Sequence, residues 1–263
     1  RRMIAAIGGP VVVLLTLVIL LAGTTNGLAG FGFALVGTMA LATVIDPATA
    51  VVFMIVPILA VNLSLVRDLT RDELRTCSRR FGPLIGAALV GTVVGMAVLD
   101  RIPTAPLRVG LGVLTLGFVA TAQRRLPLPE WSSGRIGTFA QTRVGMLGVG
   151  GVSGLLFGGT NVGVQLIAYL RSFDLSHGLF VGVVALVFLG LNGIRVAVAG
   201  LFGLYPSGTV LFASVVAAVP AAIGVAVGKR LRVTASERSR RLVVLGLLTV
   251  VGFRLVGGGL GLI

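Results

Sequence analysis

Long uncharged apolar blocks, separated by short charged connections, dominate the sequence. The first covers residues 3–45, which include 43 positions without Asp, Glu, Lys, Arg or His; about 20 residues cross a bilayer as a helix. We divide it into a span at 4–22, a break at 23–27 and a second segment at 28–45. Further apolar blocks predict an all-α protein that crosses a membrane many times: 47–66, 81–99, 109–122, 144–170, 178–194, 196–228 and 242–253.

The connections between these blocks differ in positive charge. Residues 67–80 contain five arginines, residues 123–143 contain four, and residues 229–241 contain six basic residues. The turns near Asp46 and Tyr205 contain none. Because basic connections tend to stay on the cytoplasmic side of a membrane, we expect the first three inside and the two turns outside.

This charge pattern predicts how the blocks cross the membrane. Crossing by every block would put some connections on the wrong side, so two blocks must enter and leave on one face. The candidates are residues 28–45 and 144–170, each bent into a re-entrant helical hairpin. We therefore predict about seven full transmembrane helices plus two hairpins, with the N-terminus cytoplasmic and the C-terminus outside. The use of 21 Arg against one Lys indicates a GC-rich prokaryotic genome. We expect a multi-pass protein of the prokaryotic plasma membrane.

The two parts of the sequence also resemble each other. Three matched pairs lie at offsets of 124 to 134 residues: 27–30 with 151–154, Asn62 with Asn192, and 111–115 with 245–249. Matching connections carry opposite charge bias, so we expect two inverted-topology repeats, as in many secondary transporters. The predicted organisation is a first repeat at 1–125, a cytoplasmic linker at 126–143 and a second repeat at 144–263. The alternative is the weak self-similarity of any glycine-rich apolar sequence.

Composition narrows the functional classes. The 263 residues are 56% hydrophobic and 11% charged, whereas soluble domains contain about 25% charged residues. The lipid bilayer is therefore an expected partner, and the net charge of +14 indicates basic loop anchors and not nucleic-acid binding. All eight acidic residues lie in connections or at span ends, and there is one His and one Cys. An enzyme is disfavoured, and no cofactor or metal is predicted.

Two arginines, Arg195 and Arg254, interrupt apolar segments. A charge at membrane depth costs at least about 2.5–3.5 kcal/mol, so it needs a polar cavity, a partner or the interface. We interpret Arg195 as an anion-binding residue, because a guanidinium donates two parallel hydrogen bonds to paired oxygens. Snorkelling of either side chain to the surface is the alternative.

Neutral polar residues gather near the predicted hairpins. A short helix that begins within residues 158–161 would aim free N–H groups at the midplane, which favours an anion. Interhelical hydrogen bonding is the alternative role for each of these residues. The predicted substrate-binding residues are Asn26, Asn62, Thr160, Asn161, Gln165, Asn192 and Arg195.

Glycine-rich segments at 27–32, 151–159 and 224–231, and the stretch 79–122 with its turn at 101–103, indicate a family. Over nearly the whole chain the sequence resembles the TauE/SafE family of sulfite exporter-like proteins, also called toluene sulfonate uptake permeases. The resemblance implies a membrane carrier for small sulfur-containing or organic anions such as sulfite, sulfonates and sulfoacetate. Family members often have longer glycine runs followed by proline; this chain departs from that pattern in both hairpins, which leaves the substrate open.

The leading hypothesis is an alternating-access transporter whose repeats rock around a midplane site for a small anionic substrate. An inside-negative potential pushes a monovalent anion outward by about 2.3 kcal/mol per 100 mV, so export or facilitated diffusion needs no coupling ion. The alternative is a passive anion channel. The oligomeric state stays open, with a homodimer as one option.

Overall fold

The computed structural model describes residues 9–29, 32–66, 80–99, 101–122, 142–171, 173, 177–234 and 236–262. Within these ranges the chain forms twelve helices and no strand. The helices up to residue 122 are α1 (Gly9–Ala29), α2 (Phe33–Ala42), α3 (Pro47–Phe53), α4 (Ile55–Val66), α5 (Gly82–Leu99) and α6 (Thr104–Ala122). Those after residue 142 are α7 (Arg143–Thr160), α8 (Val164–Arg171), α9 (His177–Leu201), α10 (Gly208–Val216), α11 (Ala218–Thr234) and α12 (Glu237–Gly259).

The predicted all-helical membrane architecture is confirmed at this coarse level. Four helical segments among the described residues are long and apolar enough to cross a membrane: Gly82–Leu99, Thr104–Ala122, Gly208–Leu231 and Leu242–Gly259. Large apolar side chains such as Val90, Phe212 and Phe253 are exposed on the outside of the bundle, as expected of a surface that faces lipid. The count of seven spans stays a prediction. Apart from Arg80, Thr142 and Arg143, the basic connection at 67–80 and the linker at 126–143 lie outside the described residues.

The predicted break at 23–27 is wrong, because α1 continues through these residues to Ala29. The hydroxyls of Thr24 and Thr25 donate to the carbonyls of Leu20 and Leu21, each at 2.8 Å, within the helix. The helix α1 is described to Ala29, and α2 begins at Phe33, with Gly32 at a φ of 101° before it. Glycine suits that left-handed conformation because it has no Cβ.

The glycines of α1 serve close packing against α11. A Cβ added at Gly224 would lie 3.0 Å from the Gly23 Cα, and one at Gly228 would lie 2.8 Å from the Gly27 Cα. Residue numbers rise together along both helices, so α1 and α11 run parallel. Small residues at a spacing of four are a common means of bringing membrane helices together.

A second glycine seam joins α5 to α7. Gly91 packs against the backbone of Gly151, and a Cβ added at Gly95 would lie 3.2 Å from the Gly158 Cα. These two helices also run parallel. Thr92, which is fully buried, donates its hydroxyl proton to the Gly154 carbonyl across the seam at 3.2 Å.

The second helix folds back along the first. The Phe33 N–H donates to Asn26 Oδ1 at 3.3 Å, and a Cβ at Gly37 would lie 3.4 Å from the Ala22 Cβ. Because α2 leads to Asp46, the start of α1 lies at the same end of the bundle as Asp46.

The end of α12 lies at that end as well. Thr104 donates to Asp46 Oδ1 at 3.1 Å, and a Cβ at Gly259 would lie 3.0 Å from the Ala105 oxygen. The start of α1 and the end of α12 therefore lie at the same end of the bundle, whereas the prediction puts the two termini on opposite sides of the membrane.

A proline shapes the break between α3 and α4. Pro57 has no N–H to donate to the Phe53 carbonyl four residues earlier. The Ser214 hydroxyl of α10 donates to that carbonyl at 2.6 Å instead. This bond joins α3 to α10 in the interior, where both Phe53 and Ser214 are buried.

Candidate functional site

Arg195 is a fully buried cation in α9, with 0% of its side chain exposed. Its Nη1 donates to Asn192 Oδ1 at 3.3 Å, and its guanidinium carbon lies 4.9 Å from the centroid of the Phe157 ring. The buried Nε and Nη2 atoms have no hydrogen-bond partner among the described residues.

The two unpartnered nitrogens define the chemistry of this site. Nε and Nη2 lie on the same edge of the planar guanidinium, so their N–H bonds point in parallel. That edge is the one that binds two oxygens of a carboxylate or similar oxyanion in bidentate geometry. Asp46, whose side chain is described, uses its carboxylate oxygens on Thr49 and Thr104 and not on Arg195.

Asn192 holds Arg195 in place from one helical turn away. Its Nδ2 donates to the Phe188 carbonyl at 2.8 Å, which turns the Oδ1 atom toward Arg195. Residues three apart on a helix lie on the same face, so the spacing of these two residues already placed them together. Aromatic contact with Phe157 supplies further stabilisation of the cation.

Asn161 connects the end of α7 to two helices of the first half of the chain. It is fully buried and has a φ of 61°, a left-handed conformation that Asn tolerates better than most residues. Its Nδ2 donates to Thr38 Oγ1 at 2.7 Å and to the Val51 carbonyl at 3.0 Å. Its buried Oδ1 has no partner in the described part of the chain.

Three of the predicted site residues line one small cavity. Asn26 from α1, Asn62 from α4 and Asn161 from the turn after α7 border a space of about 100 Å³. The apolar part of the wall includes the rings of Phe157 and Phe188. The cavity therefore lies between Gly32 at the start of α2, the break at 161–163 and the middle of the bundle.

Phe157 separates this cavity from Arg195. The ring contacts the guanidinium on one side, packs edge-on against Phe188 at a centroid distance of 5.2 Å, and borders the cavity. Gly163 leaves space for both rings, because a Cβ there would lie 2.5 Å from Phe188 Cζ and 3.3 Å from Phe157 Cδ2. The cation and the three asparagines are thus neighbours with one aromatic side chain between them.

The remaining two predicted site residues close the turn locally. The Thr160 hydroxyl donates to the Leu156 carbonyl at 2.5 Å and accepts from the Val162 N–H at 3.1 Å. Gln165 Nε2 donates to the Val162 carbonyl at 2.7 Å. Neither residue borders the cavity, and neither contacts Arg195 or Asn192 through the hydrogen bonds of its side chain. The short helix also begins at Val164, after the turn, and not within 158–161 as predicted.

Sequence reasoning missed Phe157 and Tyr205. Tyr205 lies close enough to Arg195 and to the Ser214 side chain to interact with both. Tyr205 is one of two tyrosines in the chain and was assigned only to a turn. Phe157 lies inside the glycine-rich segment 151–159 and is the one aromatic residue of that segment.

The fold and the site define a class, a multi-pass helical membrane protein with a buried cation near a small cavity that three asparagines border. Comparison with known families gives the particular one. Residues 15–255 match the family described as sulfite exporter TauE/SafE, which is nearly the whole chain. The chain belongs to this family of membrane transporters. No curated protein and no solved structure gives a significant match.

Proposed function

We propose that this protein carries a small oxyanion, of the sulfite or sulfonate type, across the plasma membrane of a prokaryote by alternating access. The observation that carries the proposal is the buried edge of Arg195 with two unpartnered N–H groups. An unpaired charge in a protein interior is costly, and removing one partner of a buried pair typically costs about 3–5 kcal/mol. A bound oxyanion supplies the missing partner.

The shape of the site favours a small ligand with at least two oxygens. The cavity beside Phe157 measures about 100 Å³, which is the share of about three water molecules at roughly 30 Å³ each. Sulfite, a sulfonate group and a carboxylate all present paired oxygens to the Nε and Nη2 edge, whereas chloride presents one centre. We propose that rotation of the Phe157 side chain joins the cavity to Arg195.

Alternating access is supported by the arrangement of the two glycine seams. Gly27 and Gly158 are 131 residues apart, and Gly228 and Gly95 are 133 apart. If each of these glycines is replaced by its counterpart in the other half, the contact of Gly27 with Gly228 becomes the contact of Gly158 with Gly95. We propose that α1–α6 and α7–α12 are the two repeats. This register replaces the predicted offset of 124 for residues 27–30, so the match moves by seven residues, or about two helical turns.

The charge of the connections sets the proposed orientation. The basic connection at 229–241 belongs inside, and the turn near Tyr205 lies at the other end of α10 and α11. We therefore propose that Asp46, the start of α1 and the end of α12 face outward. The membrane potential then favours outward movement of the anion, which fits export or facilitated diffusion.

Counterflow in proteoliposomes tests the transport mode. Liposomes preloaded with unlabelled sulfite should take up external radiolabelled sulfite faster than empty liposomes. The reason is that internal sulfite loads the binding site of a carrier and speeds its return to the outside, whereas a passive pore has no such step. Arg195→Met should abolish this uptake, and Arg230→Gln, a change at an exposed basic position, should not. Uptake without stimulation by internal sulfite, together with unitary anion currents, would instead favour the passive channel.

A further inference from the structure

A larger cavity, of about 640 Å³, lies between α2, α6 and α12 and contains two arginines. Arg108 of α6 and Arg254 of α12 both border it, together with Thr43, Phe253 and Gly258, and no residue of its wall is acidic. The volume falls within the range of about 300–1,000 Å³ that is typical of small-molecule sites. None of its wall residues borders the cavity beside Phe157.

The register of α6 and α12 brings the two cations close together. A Cβ at Gly112 would lie 2.9 Å from the Gly252 oxygen and 2.9 Å from the Val256 nitrogen, and one at Gly259 would lie 3.0 Å from the Val109 nitrogen. The helices are therefore antiparallel, with Arg254 level with Gly112. Arg108 lies four residues away, about 6 Å along the axis at a rise of 1.5 Å per residue.

Arg108 carries an unsatisfied donor at this place. Its Nε is buried and has no hydrogen-bond partner within the described ranges. Two cations that border one cavity with no acidic residue in its wall repel each other, and an anion between them relieves that repulsion. The exposed ring of Phe253 borders the same cavity, so the site opens onto the surface that faces lipid, near the end of the bundle that holds Asp46.

We propose that Arg108 and Arg254 together bind a phosphate-type oxyanion in this cavity, at a site separate from Arg195. The group has two sources with the same chemistry: the headgroup of an anionic phospholipid, or a free tetrahedral anion from solution. Arg254 then reaches a ligand and does not simply snorkel to the interface. The site does not rest on the proposed transport function, because it shares no residue with the Arg195 site and requires no movement of substrate.

Two binding measurements on the full chain test this site and separate the two sources. Native mass spectrometry of protein in phosphatidylglycerol nanodiscs, with phosphatidylcholine nanodiscs as reference, measures retained lipid. Thermal melts of delipidated protein titrated with inorganic phosphate measure the free anion. We expect Arg108→Gln and Arg254→Gln each to lower the affinity about tenfold, the effect of losing one charge-assisted hydrogen bond of about 1.5 kcal/mol.

Arg101→Gln is the matched control, because Arg101 is exposed in the turn before α6 and does not border the cavity. It should bind as the wild type does. If only the retention of phosphatidylglycerol depends on both arginines, the ligand is a lipid headgroup. If the binding of inorganic phosphate depends on both arginines, the ligand is a free anion. Equal binding by the wild type and all three variants in both measurements would overturn the proposal. The exposed Arg254 keeps the test valid even if Arg108→Gln fails to fold.

Discussion

The junction at Gly32 between α1 and α2 and the break at 161–163 between α7 and α8 occupy matching places in the proposed repeats but are built differently. In the first, Gly32 adopts a φ of 101° and a Cβ there would meet nothing within 4 Å. In the second, Asn161 adopts a φ of 61° and uses its side chain to hold Thr38 and Val51. At Gly32 the turn uses backbone freedom together with the Asn26 side chain, which accepts from the Phe33 N–H within the first half. At Asn161 a polar side chain ties the two halves together.

The two halves also differ in the charge that they place near the cavity. Asn62 and Asn192 are 130 residues apart, and the position that corresponds to Arg195 in the first half is Leu65. In the proposed repeats the framework of helices and glycines is thus common to both halves, whereas the cation is present in one. In the proposed transport cycle, a symmetric scaffold around an asymmetric site would let the halves move alike while the ligand binds in a single orientation.

The largest expected effect comes from placing a carboxylate beside Arg195. Asn192→Asp puts it about 3.3 Å from Arg195 Nη1, so the cation gains an internal partner and an incoming oxyanion meets a like charge. Juxtaposed like charges cost several kcal/mol, which predicts a loss of oxyanion affinity of about a hundredfold or more. Titration calorimetry with sulfite measures it.

The corresponding change in the first half, Asn62→Asp, tests whether the effect of Asn192→Asp depends on the neighbouring cation. Asn62→Asp adds a carboxylate at a position with no equivalent cation, so we expect a lower melting temperature in the absence of ligand. Asn192→Asp should melt no lower than the wild type, because Arg195 compensates the new charge. Equal destabilisation by both changes would mean that Arg195 already has a partner.

The two glycine seams should respond alike. Gly228→Ala and Gly95→Ala each force helix backbones apart, and overpacking typically costs about 1–3 kcal/mol. Gly117→Ala is the matched control, since a Cβ there meets nothing within 4 Å and alanine is a better helix former by about 1 kcal/mol. Thermal melts in detergent compare the three. If one of the two seam variants were as stable as the wild type, the two seams would not be equivalent.

Substitutions at Gly32 and at Asn161 should lower the stability of the protein for different reasons. Gly32→Ala keeps every contact but puts a Cβ on left-handed backbone, which costs about 1–2 kcal/mol. Asn161→Gly keeps the backbone free but leaves the Thr38 hydroxyl and the Val51 carbonyl without their donor, at about 1–3 kcal/mol. Introducing Asn161→Ala should combine both losses. Denaturant or thermal unfolding distinguishes them; an Ala variant no worse than the Gly variant would show that the backbone conformation carries no strain.

The smallest expected effect is at Thr160. Thr160→Val keeps the size of the side chain and removes a hydroxyl that serves only the turn. We expect sulfite affinity within about twofold of the wild type, because the residue does not border the cavity, together with a stability loss of about 1 kcal/mol. A tenfold loss of affinity at unchanged stability would return Thr160 to the binding site.

The sequence predicts those parts of this molecule that depend on local pattern. Apolar blocks predict helices, and the spacing of Asn192 and Arg195 predicts their contact within one helix. It misplaced the first break, because glycine serves both chain reversal and close helix packing, and residues 23–27 serve packing against α11. The partners of Asn161 lie 123 and 110 residues away in sequence, and no local pattern identifies such contacts.

Oxyanion-dependent thermal stability of the purified protein, with and without Arg195, tests the central claim most directly. The Arg254→Gln background removes the second cavity from the readout. Sulfite or a small sulfonate at 100 times its Kd should add about 2.7 kcal/mol to the wild-type unfolding free energy, with chloride weaker. Arg195→Met should show no stabilisation and an anion-free melt no lower than the wild type, since apolar replacement of a buried charge is often neutral or stabilising. Undiminished stabilisation of folded Arg195→Met would contradict the account.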